Sequence, residues 1–204
     1  MKLLNKNFAL LLLSHAFGLL GYYLLMFALP LYVLQATGSP ALFGGFMAIA
    51  FIPSIIMSPI GGVFADRASK KKIIVAMQLS ISALLFLFIW VSGFISIVPV
   101  ATVVLMGLYG VEGLGSPAME SSIPQIVPET QIVRAYGIFG FMGQVPEFIA
   151  PMIAGVLFAN VGLMPIVMIS GICYVFAALM GMLLKIPHVK QGVLGNIPKM
   201  IHLL

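Results

Sequence analysis

"GGVFADRASKKK", Gly61 to Lys72, is the stretch on which the reading of this chain turns. Only 15 of the 204 residues are Asp, Glu, Lys or Arg, and five of them, Asp66, Arg67, Lys70, Lys71 and Lys72, fall within seven positions here. The flanking sequence on both sides is apolar for more than twenty residues. The chain is 62% hydrophobic and 7% charged, with a mean hydropathy of +1.19. Soluble domains carry about 25% charged residues, so this chain cannot cover an aqueous surface. Lipid is the alternative solvent, and a helix crosses its hydrocarbon with about 20 apolar residues.

The net charge of +5 does not point to nucleic acid, because the cations are scattered among membrane-length apolar runs and form no basic domain. The single cysteine, Cys173, implies neither a disulfide framework nor a metal cluster. The N-terminal run continues to about Leu34, too long for the apolar core of a signal peptide, and reads as a retained first span.

Breaks rich in Gly, Pro, Ser and Asn divide the rest. The expected spans are 8–35, 41–65, 73–95, 98–118, 132–159 and 163–186, followed by a cytoplasmic tail, 187–204, of mixed apolar and basic character suited to an interface. With six spans, all ten cations fall on one side: Lys2, Lys6, Arg67, Lys70, Lys71, Lys72, Arg134, Lys185, Lys190 and Lys199. The positive-inside rule makes that side, and both termini, cytoplasmic.

The second and fifth spans share a pattern. Gly44, Pro53 and Gly62 recur as Gly137, Pro146 and Gly155, offset by 93 residues, with Phe46 matching Phe139, Ile56 matching Ile149, Ile60 matching Ile153 and Val63 matching Val156. A unit of three spans reverses direction, so the fold expected is an all-α membrane protein of two inverted three-helix repeats. Such repeats, with Gly- and Pro-interrupted helices, are a transporter feature. Pro53, Pro59, Pro146 and Pro151 each remove a backbone donor and are expected to bend their helices.

The opening stretch resembles the loop between helices 2 and 3 of the major facilitator superfamily, written G-x-x-x-D-R-x-G-R-R/K. Gly62, Asp66, Arg67, Lys70 and Lys71 match, and Ser69 replaces the second Gly. "SPAMESSIPQIVPETQIVRA", Ser116 to Ala135, resembles the helix 4–5 loop of the macrolide-efflux and siderophore-export branch. "GIFGFMGQVPEFIAPMIAG", Gly137 to Gly155, is similar to the helix 5 motif of drug/proton antiporters, with Gly137, Pro146, Ala150, Pro151, Ala154 and Gly155 at its fixed positions and Pro146 in place of a Gly. Leu108 stands near the position where the family often places an Arg implicated in proton coupling.

The resemblance covers the whole chain but half of the usual twelve-helix family member, with the tail resembling the start of the central linker. It implies a bacterial, multi-pass protein of the cytoplasmic membrane. The implied activity is proton-coupled, multidrug-type efflux of hydrophobic or amphipathic small molecules by alternating access, with a second six-helix half or a homodimer as partner. It also implies a gating role for Asp66 and Arg67, for which Glu120 and Arg134 are the candidate intrachain partners. A non-transporting half-transporter that acts as a membrane interaction protein is the alternative. No HExxH, GxSxG or metal-ligand cluster points to an enzyme, a metal or a cofactor.

Charge inside a span is costly unless paired or hydrated. Glu147, beside Gln144 and Pro146, is therefore either a carboxyl that titrates in a cavity and attracts a cationic substrate, or a neutral side chain bonded to a carbonyl freed by a nearby Pro. Glu112 either lines the cavity or joins a charge network at the inner face. His15 is either a group that titrates near neutral pH or a hydrogen-bonded packing residue. The 14 methionines suit a pliable ligand surface, although lipid-facing packing accounts for most of them.

Overall fold

A computed structural model describes residues 5–67 and 69–186, without the side chains of 63–67. Seven α-helices occupy nearly all of it: α1 (Lys6–Thr37), α2 (Pro40–Arg67), α3 (Lys70–Val91), α4 (Ile97–Glu120), the single turn α5 (Ile123–Ile126), α6 (Ile132–Val161) and α7 (Leu163–Leu183). Six of these are long and apolar enough to cross a membrane. The span boundaries differ from the expected ones by a few residues, for local reasons. α3 stops at Val91, short of 95, where Ser92 and Gly93 begin a turn. α1 and α2 each run two residues further than expected and are separated by Gly38, whose positive φ of 62° closes α1 with its N–H on the Leu34 carbonyl. Gly162, at φ 79°, makes the turn from α6 into α7 in one residue.

The charged stretch is mostly helix. α2 continues to Arg67 and α3 begins at Lys70, so only residues 68 and 69 lie between them. Lys70, Lys71 and Lys72 thus occupy the first turn of α3, where no acid accompanies them. The helix dipole disfavours cations there, so their placement does not serve the stability of α3 itself. The side chains of Asp66 and Arg67, and the tail 187–204, lie outside the described residues.

The segment expected to be a plain loop after the fourth span is partly helical. Pro124 sits in the first turn of α5, and Val127, held extended before Pro128, ends it (φ −122°, ψ 144°). Ile123 and Ile126 are buried by it. A 3-10 turn, Glu129–Gln131, then leads into α6.

Hydrogen bonds gather alternate helix ends at one end of the bundle. Asn5 caps α1 by accepting from the Phe8 N–H (2.8 Å) and donates to the Ile126 carbonyl. The Asn7 amide bonds both backbone groups of Lys185, just beyond α7. Lys70 Nζ donates to the Ser121 carbonyl at 2.6 Å, and the Tyr136 hydroxyl to the Glu120 carbonyl at 3.2 Å. Lys6, Lys70, Lys71, Lys72, Arg134 and Lys185 all belong to these tied segments.

Between the helices, α2 packs most extensively on α4, and α1 on α7 and α6, while α3 bridges α7 and α4. Close approach depends on glycine. A Cβ on Gly113 would lie 3.1 Å from the Ser54 carbonyl oxygen, and one on Gly21 3.1 Å from the Ser170 carbonyl oxygen. Pro53, Pro59, Pro146 and Pro151 all sit inside continuous helix.

Candidate functional site

Two apolar cores fill the bundle, and a polar layer separates them. One core, near the cation-bearing end, includes Phe8, Leu11, Ile74, Ala118, Ile123 and Phe139. The other includes Tyr22, Leu25, Ile81, Leu105, Tyr109 and Ala154. On four of the helices, polar residues stand between the stretches that build the two cores: Ser14 and His15 on α1, Gln78 on α3, Glu112 and Ser116 on α4, and Gln144 and Glu147 on α6.

Within that layer, His15, Gln78, Glu112, Ser116 and Tyr174 line a cavity of about 40 Å³ shared by α1, α3, α4 and α7, enough to hold water. Gln78 and Ser14 are buried against each other: Gln78 Nε2 donates to Ser14 Oγ (3.2 Å), and Ser14 Oγ donates to the Ala177 carbonyl (2.9 Å). His15 stacks on Phe139 with centroids 4.0 Å apart and planes at 14°. Its room comes from Gly143, where a Cβ would stand 3.2 Å from His15 Nε2.

Tyrosines of α1 join the two intramembrane acids. Tyr23 is in electrostatic reach of the Glu147 carboxyl group and, more weakly, of Glu112. Glu112 is in electrostatic reach of Tyr22 on the same helix as Tyr23, and of Tyr174 on α7. Tyr22 meets Tyr23 and Tyr109 edge to face at 5.2 and 6.4 Å, and Phe51 of α2 meets Tyr109 at 5.1 Å. Glu112 thus faces the interior, whereas Glu147 is exposed on the flank of α6, at the midpoint of that helix.

The structure brings Glu112 and His15 to one cavity and Glu147 to the tyrosine cluster beside it. Gln144 is exposed one turn before Glu147 and does not line the cavity. Of the helix 5 motif, Pro146 and Ala150 are buried, Pro151 and Gly155 half-buried, and Gly137 exposed. A Cβ on Gly155 would touch the Phe27 ring at 3.7 Å. Gly62 is half-buried with open space beside it, and Lys71 is half-buried at the start of α3. Glu120 accepts from the Ser116 hydroxyl at 3.2 Å, and no ion pair joins it to the exposed Arg134 among the described residues. The tyrosines and Gln78 are the additions that sequence reading missed. Their signal was a hydroxyl or an amide inside an apolar span, weaker than charge but of the same kind.

Residues 11–199 match the Major Facilitator Superfamily. The chain is similar to Macrolide efflux protein A of Streptococcus pyogenes, 25% identical over 190 residues that make up 92% of this chain and 47% of that protein. It is similar also to Macrolide efflux protein A of Enterococcus faecalis, 25% identical over 155 residues, 75% of this chain and 48% of that protein. The chain spans about half the length of the curated relatives it matches.

Proposed function

The chain belongs to the Major Facilitator Superfamily, and from that premise we propose that it forms one six-helix half of an efflux transporter for hydrophobic or amphipathic small molecules. The observation that carries this reading is the position of Glu147. It is exposed halfway along α6, in electrostatic reach of Tyr23 on α1. A carboxyl group at that depth is costly against lipid, so the flank formed by α1 and α6 is one that water or a second bundle covers. The second bundle is a further six-helix half, on this chain or another, or a second copy.

In this reading Glu112 in the cavity and Glu147 on the exposed flank of α6 serve proton coupling and draw in cationic substrates, and Tyr22 and Tyr23 on α1 stand between the two acids. Rocking of the two bundles about this layer gives alternating access. The cation-bearing end faces the cytoplasm of a bacterial cell. Packing supports the inverted repeat. Under the 93-residue offset, Phe46 and Phe139 are each 6% exposed, and Ala50 pairs with Gly143 and Gly61 with Ala154, all four buried. The contact of α2 with α4 corresponds to that of α6 with α1.

The test is export of a cationic macrolide by cells producing the chain together with a C-terminal six-helix half. Export is expected only with both halves, and expected to fail with Glu147→Gln. Export by a proven monomer would sink the half-transporter reading. Unchanged export in both Glu147→Gln and Glu112→Gln would sink the role of the acids and favour a partner-binding protein instead.

A further inference from the structure

At the cation-bearing end, the start of α1, the end of α5 with the two residues after it, and Lys185 just beyond α7 line an open pocket of about 370 Å³. Lys6, Asn7, Gln125 and Lys185 give it a polar side, and Val127 and Pro128 an apolar one. The frame is fixed by hydrogen bonds already made: Asn7 to both backbone groups of Lys185 (3.0 and 3.3 Å), and Asn5 to the Ile126 carbonyl. Those bonds occupy the asparagine amides. They leave the ammonium groups of two exposed lysines and the Gln125 side chain as the groups that can meet a ligand.

The charge of this pocket is uncompensated by its lining. Lys6 and Lys185, far apart in sequence, are brought to one site, and among the described residues no acid lines it; Glu129, the nearest in sequence, is not part of it. The backbone N–H groups of Lys6 and Asn7, in the first turn of a 32-residue helix, have no acceptor within that helix and add partial positive charge. Residues 187–204 hold two further lysines and neither Asp nor Glu, so their side chains do not supply the missing anion. Two cations that line one pocket repel each other, and an anion between them relieves that repulsion.

We propose that this pocket binds the phosphodiester headgroup of an anionic phospholipid between Lys6 and Lys185, with the glycerol and first methylenes against Val127 and Pro128. The site takes in the first residues of the α1 span and the segment just beyond the α7 span, so it sits at one end of the apolar helices, where headgroups lie.

The test is titration of the purified chain in detergent with dioleoyl phosphatidylglycerol, with dioleoyl phosphatidylcholine, and separately with inorganic phosphate, read by native mass spectrometry. Phosphatidylglycerol is expected to bind best. The double variant Lys6→Gln/Lys185→Gln is expected to weaken it by about thirtyfold, given the attraction typical of each lysine near a headgroup. The charge-matched control Lys72→Gln/Lys199→Gln is expected to change it less than about twofold. Equal affinity in wild type and the first double variant overturns the site. An equal loss in both double variants overturns it too, because it reports only overall charge. Displacement of the lipid by millimolar phosphate, with phosphate binding alone, overturns the lipid assignment in favour of a soluble anion.

Discussion

Gly61 of α2 lies so close to Gly113 of α4 that a Cβ on Gly61 would stand 2.7 Å from the Gly113 carbonyl oxygen and 2.8 Å from the Leu114 Cα. Both obstacles are backbone and cannot rotate aside. Gly61→Ala is therefore expected to destabilise the protein by about 1–3 kcal/mol, the usual cost of overpacking. Gly62→Ala, one residue on, meets nothing within 4 Å and is expected to stay within about 0.5 kcal/mol of wild type. Thermal unfolding in detergent compares the two. If Gly61→Ala melts with wild type, α2 and α4 are not in contact at that position.

The buried pair Ser14 and Gln78 gives a second test. Ser14→Ala removes the hydroxyl that takes the Gln78 amide and itself reaches the Ala177 carbonyl. The expected cost is about 0.6–2 kcal/mol, the range of interhelical hydrogen bonds in membranes. Gln78→Leu should cost less in the Ser14→Ala background than alone, because the amide has then already lost its partner. Strict additivity of the two changes would show that the bond contributes nothing.

Much of this architecture was legible in the sequence, because it rests on two coarse quantities. Apolar length sets the six spans, and Gly, Pro and Ser set their breaks. The site was half legible. Glu112, Glu147 and His15 stand out because charge and imidazole are rare in an apolar run. What sequence could not supply is which faces meet. Tyr23 reaches Glu147 across 124 positions, a relation that only the packing of α1 on α6 creates. The glycines illustrate the same limit. Gly44, Gly62 and Gly137 mark the repeat, yet a Cβ on any of them meets open space, whereas the tight contacts fall on Gly61 and Gly113. The 93-residue offset pairs Gly61 with Ala154, a match of size and burial and not of identity. The charged stretch was read as a loop because clustered charge and Ser suggest one, but nearly all of it is the end of α2 and the start of α3.

Tyr23 and Glu147 are expected to act as a unit. Glu147→Gln removes the ionisable group and should lower export by about tenfold or more, because a carboxyl group at that depth is costly unless it serves the transport path. Tyr23→Phe keeps the ring against Tyr22 and removes only the hydroxyl, so a smaller loss in the same direction is expected. The double variant should be no worse than Glu147→Gln alone. Accumulation of a labelled cationic macrolide in cells measures all three. Multiplied losses in the double variant would show that the two residues serve separate steps.

The placement of the ends can be tested without any transport assay. Cys173 is 7% exposed, and Cys173→Ala gives a background in which single cysteines report their side of the membrane. Lys72→Cys and Gln125→Cys lie at the cation-bearing end, beside the Lys70–Ser121 bond and α5. Ser39→Cys and Phe94→Cys lie in the connections α1–α2 and α3–α4, and Phe94 is 78% exposed. The positive-inside rule predicts that a membrane-impermeant maleimide modifies positions 39 and 94 in intact cells, and positions 72 and 125 only after the membrane is opened. The reverse pattern would place the cations outside and remove the basis for a cytoplasmic gate at Asp66 and Arg67. Labelling of 72 and 94 from the same side would contradict the six-span bundle itself, because α3 would then not cross the membrane.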